Sequence, residues 1–281
     1  MAPIRVGMLR CDCHALYYAC IMAEHDPYVL RAPVPREDIY NYQLGWQRGG
    51  VYKYFYSQFG DPLKMTVESV PGFKIVNLWD EDRHNAQLIH SILTDKPQIC
   101  DSVEQCIEDV DLVFISNCNF DGSDHLQLAA PGLEKGLPTF VDKPFAFETA
   151  DVIKMLDIAR TNHAPIMSMS ILLAMAEVQQ FVQRFDEIAP VKFASIQGGG
   201  DTMAGLVHTS ALAQAMFGRG VESVRATGDE HPVDMHLYYH ADSKGPAKGI
   251  MINADVPNSF AGFYTSCFGN EGAIHAPPIN D

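Results

Sequence analysis

The stretch Thr139-Phe140-Val141-Asp142-Lys143-Pro144-Phe145-Ala146 decides how this chain is read. Its first three residues are β-branched or aromatic and suit a strand, which Asp142-Lys143-Pro144 then stops at once. A proline cannot continue a ladder and bars the residue before it from the helical region, so Lys143 is held extended at the strand's carboxyl end. Open α/β sheets place their chemistry at that end. Lys143 is therefore the first candidate active residue, with a solvated loop lysine as the plain alternative.

Working outward, strands and helices alternate. Upstream, Ile4 to Leu9 has strand length and is followed by helix-prone residues from Leu16 to Ala23. A second strand, Phe73 to Trp79, ends at Asp80 and leads into a helix over about Asp82 to Leu93. A helical stretch near Val103 to Glu108 precedes the strand Asp111 to Ser116. Asp124 to Glu134 then reads as a helix that Gly136 ends. A helix over Thr149 to Thr161 and a short strand, Pro165 to Ser168, follow. This pitch predicts right-handed β-α-β units and a doubly wound parallel sheet.

Past a linking helix near Ala174 to Phe185 the texture changes. Strands are predicted over Val191 to Ile196, Val221 to Ala226, Met235 to His240, Gly249 to Ala254 and Ser259 to Phe268, interrupted by one helix, Leu206 to Phe217. Short turns between them predict an α+β domain on a mainly antiparallel sheet. The domain division falls at residues 1–148 and 149–281. Within the first, residues 25–72 fill with Pro, Gly and aromatic residues, including Tyr28, Tyr40, Tyr42, Trp46, Tyr52, Tyr54, Phe55, Tyr56 and Phe59. Such aromatic content argues against disorder and predicts a lid or a contact surface.

Composition narrows the partners. With 281 residues, 47% of them hydrophobic, the chain can bury a large core. A net charge of −15 repels phosphate backbones and anionic lipid heads, which excludes nucleic acid and membrane surfaces as partners. The N-terminus lacks the basic start and apolar block of a secretory signal, and a cytoplasmic protein is expected. Seven scattered cysteines form no disulfide framework and read as reduced thiols. Cys11-Asp12-Cys13-His14 has zinc-compatible donors, but the thiols sit one residue apart and no second pair follows at finger spacing.

Together, these features resemble the glucose-fructose oxidoreductase and inositol dehydrogenase family (Gfo/Idh/MocA). The resemblance rests on the alternation, on Asp80, on Asp111 to Asn117 followed by His125, and on Val141-Asp142-Lys143-Pro144-Phe145-Ala146. It continues through Gly198-Gly199-Gly200, Gly205-Leu206-Val207-His208 and Phe217-Gly218. It implies a Rossmann-like dinucleotide-binding domain at 1–148, and a substrate and oligomerisation domain at 149–281. It implies a dehydrogenase acting on a hydroxyl of a sugar, cyclitol or related polyol, with NAD rather than NADP as cofactor. Lys143 matches the family's lysine near the hydroxyl, with Asp142 replacing a glutamate, and His208 matches its proton-accepting histidine. Ser116, Asn117, His125 and Asp142 fall at cofactor-side positions, and Asp80 at the ribose position. A homodimer or larger homo-oligomer is also implied.

The chain departs from the family at two places. Where Gly-x-Gly-x-x-Gly/Ala would turn around a pyrophosphate, it has Arg10-Cys11-Asp12-Cys13-His14-Ala15. Asp12 opposes phosphate and Arg10 offsets it by pairing. The family's aspartate four residues before the histidine falls on Ala204, leaving Asp201 as a substitute. Two readings stay open. In one, a dehydrogenase grips a sugar-like substrate with Trp46, Tyr52 and Tyr54. In the other, the cofactor site has decayed to no cofactor, and the fold performs elimination or hydrolysis or only binds a ligand. A metal version of the second uses His236 and His240, which strand periodicity places on one face.

Overall fold

A computed structural model describes residues 2–31, 46–57, 61, 64–116, 121–199, 203–228, 234–254 and 262–280. Tyr40, Tyr42, Phe59, Asn117 and Asp201 lie outside the described residues, as do the side chains of Trp46 and Ala204. Two compact units are formed, Met1–Ser168 and Met169–Asp281.

In the first unit, β1 (Ile4–Leu9) runs into α1 (Cys13–Met22) and then α2 (Pro27–Arg31). A π-helical turn, Trp46–Gly50, leads into α3 (Val51–Tyr56). The alternation resumes with β2 (Phe73–Trp79), α4 (Arg83–Ile92), β3 (Gln98–Ile99), α5 (Val103–Cys106) and β4 (Leu112–Ile115). It closes with α6 (His125–Glu134), β5 (Thr139–Val141), α7 (Thr149–Thr161) and β6 (Ile166–Met167). The sheet order is β3-β2-β1-β4-β5-β6, with every pairing parallel. This doubly wound order reverses between β1 and β4. Gly136 ends α6 as expected, its φ of +74 being open to glycine without strain.

Why these strands sit centrally follows from their sequence. Val6, Met8 and Leu9 of β1 and Val113 and Ile115 of β4 are fully buried, as near-continuous apolar strands between two helical layers must be. Each such side chain contributes about 1.5–3 kcal/mol of burial. The described part of the aromatic segment joins this core. Phe55 is fully buried, and the Tyr17 ring lies 5.0 Å from Phe55 and 5.8 Å from Tyr54. Tyr52 stacks on Tyr56, whose hydroxyl donates to Nε2 of His25 at 2.7 Å. Over these residues the segment is a layer docked on α1 rather than a lid.

The second unit follows the predicted α+β texture. A 3₁₀ turn, Ile171–Ala174, precedes α8 (Ala176–Gln183), a further 3₁₀ turn Arg184–Glu187, β7 (Val191–Gly198) and α9 (Met203–Phe217). Strands β8 (Val221–Thr227), β9 (Asp234–Tyr239), β10 (Ile250–Asn253), β11 (Gly262–Gly269), β12 (Gly272–His275) and β13 (Ile279–Asn280) complete it. The order is β12-β11-β7-β10-β9-β8, with β13 on β11. One pair, β10 with β7, is parallel and the others are antiparallel. Alternation sorts the faces. Ile250 and Ile252 are buried against Leu212 and Met216 of α9, while Met251 between them is 48% exposed.

Candidate active site

At the carboxyl edge of the first sheet, the turns after β1, β2 and β5 and the start of α6 carry the sequence-marked residues. The turn after β1 is built by its own carboxylates. Asp12, 8% exposed, caps α1 by accepting the His14 backbone N–H at 3.1 Å. Asp80, after β2, accepts the N–H of Cys11 at 2.6 Å and that of Asp82 at 2.8 Å. Burial raises the pKa of Asp80 above its ordinary value despite those donors. It likewise pushes the Cys11 thiol up, away from the thiolate that a metal would need.

Arg10 bridges three elements from a left-handed backbone with φ of +64. Its Nη2 and Nε reach Asp124 Oδ2 at 2.6 and 3.1 Å, its Nη1 reaches Glu81 at 3.0 Å, and the guanidinium lies 5.7 Å from the Trp79 ring centre. Burial alone would lower its pKa, but the bonds to Asp124 and Glu81 outweigh it and the value rises. Ser116 donates to the Arg10 carbonyl at 3.4 Å. Ala15 is fully buried and Cys13 nearly so, within the first turn of α1.

The turn after β5 is organised around Asp142, which is 1% exposed. Its Oδ1 accepts the Lys143 backbone N–H at 2.7 Å, and its Oδ2 meets His14 Nδ1 at 2.6 Å. A buried carboxylate thus ties the lysine turn to the turn after β1. Lys143 is partly exposed, and among the described residues its ammonium has no ion-pair partner. His125, fully buried at the start of α6, donates from Nδ1 to the Phe145 carbonyl at 3.3 Å. Its Nε2 has no partner among the described residues.

In the second unit, His208 lies on α9 and is 9% exposed. Ser170, 2% exposed, stands 2.7 Å from its Nδ1, and the Phe263 ring is 5.8 Å away. Sequence reading missed Ser170. The available signal was a serine directly before Ile171-Leu172, a cap position. His236 and His240 have other partners. His236 Nε2 donates to the Lys248 carbonyl at 2.9 Å, and its ring stacks on Tyr238. His240 falls after the end of β9, 3.8 Å from Glu222. Among the described residues no three metal-ligating side chains cluster.

The strand order is that of a Rossmann-like unit. Residues 54–169 match a family model described as GFO_IDH_MocA, an oxidoreductase family with an NAD-binding Rossmann fold. Over that stretch the chain resembles the Gfo/Idh/MocA family. Similar solved structures include an oxidoreductase from Agrobacterium radiobacter in complex with NAD+, L-tartaric acid and magnesium, at 12% identity and a TM-score of 0.65, covering 99% of this chain and 75% of that one. Biliverdin reductase from Synechocystis sp. PCC 6803 with biliverdin and NADP+ is similar at 16% identity and a TM-score of 0.62, over 99% and 82%. UDP-N-acetylglucosamine 3-dehydrogenase GnnA from Acidithiobacillus ferrooxidans is similar at 12% and 0.61, over 96% and 75%. In sequence, the chain matches no curated relative at a significant level.

The residues fit a dinucleotide with a changed phosphate contact. Asp80 closes on the Cys11 amide after β2, and the orphaned Nε2 of His125 is buried at the start of α6. The first-turn amide of His14, which a glycine turn would offer to phosphate, is taken by Asp12. Arg10 is the cation beside that helix end, and its guanidinium is bonded to Asp124.

Proposed function

We propose that the protein is a nicotinamide-dependent dehydrogenase acting on a hydroxyl of a sugar, cyclitol or related polyol. The observation that carries this reading is the family match over residues 54–169, which includes the Asp142-Lys143-Pro144 turn. The name of GnnA, a nucleotide-sugar dehydrogenase, agrees with that substrate class.

When bound, NAD supplies the hydride acceptor. Lys143 offers an ammonium free of carboxylate partners among the described residues, suited to stabilising an oxygen that gains negative charge. Asp142 fixes that lysine's backbone. On the family resemblance, His208 has the role of proton acceptor. Asp80 beside the exposed Glu81 disfavours a 2′-phosphate, which selects NAD over NADP. The exposed face carrying Met251, Tyr264 and Phe268, 40–48% exposed, receives a second copy of the chain, and light scattering at the dimer mass is the expected result. The acidic charge and the reduced thiols suit a cytoplasmic setting.

A second reading is favoured by one observation, the capping of α1 by Asp12. It assigns the fold to non-redox proton transfer or to ligand binding alone. Fluorescence titration with NADH and NADPH separates the two. Saturable NADH binding is expected, and binding of neither nucleotide at millimolar concentration overturns the dehydrogenase.

A further inference from the structure

Two free cysteines outside the candidate active site, Cys100 and Cys106, are brought together by the first sheet. Cys100 directly follows the edge strand β3, and its backbone N–H donates to the Leu78 carbonyl of β2 at 2.8 Å. Cys106 ends α5, and its thiol donates to the Met8 carbonyl of β1 at 3.4 Å. Met8 and Leu78 are register partners, so the two cysteines are held at one level of the sheet and share one apolar cluster. Their thiols are hydrogen-bonded to each other. The pair is unequal. The bond from Cys106 lowers the pKa of the Cys100 thiol, whose other contact is a long 4.0 Å to the Gln98 carbonyl. Burial, reinforced by Cys100, pushes the Cys106 thiol well up, so the first thiolate forms on Cys100.

Cys100 is 3% exposed and Cys106 fully buried, yet little holds this corner closed. β3 has two residues and α5 four, and the turn between them rests on two side chains: Ser102 Oγ accepts the Gln105 N–H at 3.2 Å, and Gln105 Oε1 accepts the Asp101 N–H at 2.8 Å. Short elements at a sheet edge open locally far more readily than the core does. We propose that Cys100 and Cys106 are an oxidation site for hydrogen peroxide, which closes them into a disulfide. The Cys100 thiolate attacks one peroxide oxygen, the O–O bond breaks, and the departing hydroxide takes up the proton that Cys100 released, leaving a sulfenic acid. The Cys106 sulfur then attacks the Cys100 sulfur, the S–O bond breaks, and the second hydroxide leaves as water with the Cys106 proton. Two sulfurs lose two electrons and one peroxide becomes two waters. Nothing in these steps involves the proposed dehydrogenase activity.

The test treats the reduced, folded full chain with a molar excess of hydrogen peroxide, then unfolds it in iodoacetamide to cap every remaining thiol. Cleavage after Glu104, which lies between the two cysteines, separates them unless a disulfide joins them. The expected mass spectrum shows the two fragments joined, lighter than the reduced pair by two hydrogens, and parted by dithiothreitol. Cys106→Ser should stop at a sulfenic acid on Cys100 that dimedone captures, and Cys100→Ser should leave Cys106 a free thiol. Capped Cys100 and Cys106 in the parent chain overturn the proposal, whatever the variants do. So does a link from either to another cysteine, such as Cys11 or Cys118, or a sulfinic acid on Cys100 in place of the link. Dimedone capture on Cys106 in Cys100→Ser overturns the order of attack.

Discussion

Two turns on one edge of the first sheet each carry a cation, and the chain treats them oppositely. Arg10, after β1, is bound by Asp124 and Glu81 and stacked near Trp79. Lys143, after β5, has its backbone clamped by Asp142, while its ammonium has no ion-pair partner among the described residues. A cation already neutralised by two carboxylates fastens elements together, whereas an unpaired one beside a buried anchor is available to a ligand. The difference separates a turn whose cation is used in structure from a turn whose cation is not.

The strongest way to break that contrast is Lys143→Met. It should lower kcat for NAD-dependent polyol oxidation by about 10²–10⁴, the usual weight of a group handling the reacting oxygen. Thermal stability should change little, since the ammonium makes no ion pair among the described residues. Activity retained within a factor of about two to three would put Lys143 back among ordinary loop lysines.

Next in size is Asp142→Ala, which leaves the Lys143 amide and His14 Nδ1 without their shared buried acceptor. A loss of about 2–3 kcal/mol in urea unfolding is expected. A midpoint unchanged from the parent would show that the two turns do not depend on one carboxylate.

The turn after β1 makes its own demand through Asp12→Asn. Asparagine still caps a helix, so α1 should persist, while one negative charge leaves the helix end to which the proposed function assigns the pyrophosphate. NADH should bind several-fold to about tenfold more tightly. Weaker binding would mean that Asp12 serves the nucleotide instead of opposing it.

Local signals in the sequence carry much of this arrangement. The strands are legible because their apolar runs exceed any helix period and stop at Asp80, Ser116 and Asp142. Lys143 is legible because Pro144 restricts the backbone of the residue before it. The bonds that make the site are not local: His14 to Asp142 spans 128 positions, Arg10 to Asp124 spans 114, and Ser170 to His208 spans 38. Spacing says nothing about such pairs, since only the strand order brings the turns after β1 and β5 to one edge. The two-residue β3 and the packing of Tyr52 and Tyr54 were hidden for a different reason. A strand of two residues has no period, and an aromatic run reads alike whether it faces a substrate or a neighbouring helix.

The smallest effect concerns Asp80, which bonds to the turn after β1. Burial raises its pKa from 3.8, against the opposing pull of the Cys11 and Asp82 amides. Between 3.8 and that raised value the folded chain holds more protons than the unfolded one, so stability falls as pH rises through this window. Below 3.8 the contribution is fully present. Asp80→Asn keeps an acceptor for the Cys11 N–H and removes the titration. The Tm of the parent relative to Asp80→Asn should therefore rise as pH is lowered from about 6 to about 4, by at most a few degrees because one carboxyl is involved. The opposite slope would mean that the Cys11 and Asp82 amides outweigh burial. Asp80 would then be a stabilised anion, and the turn after β1 would be preformed for a ribose rather than closed upon itself.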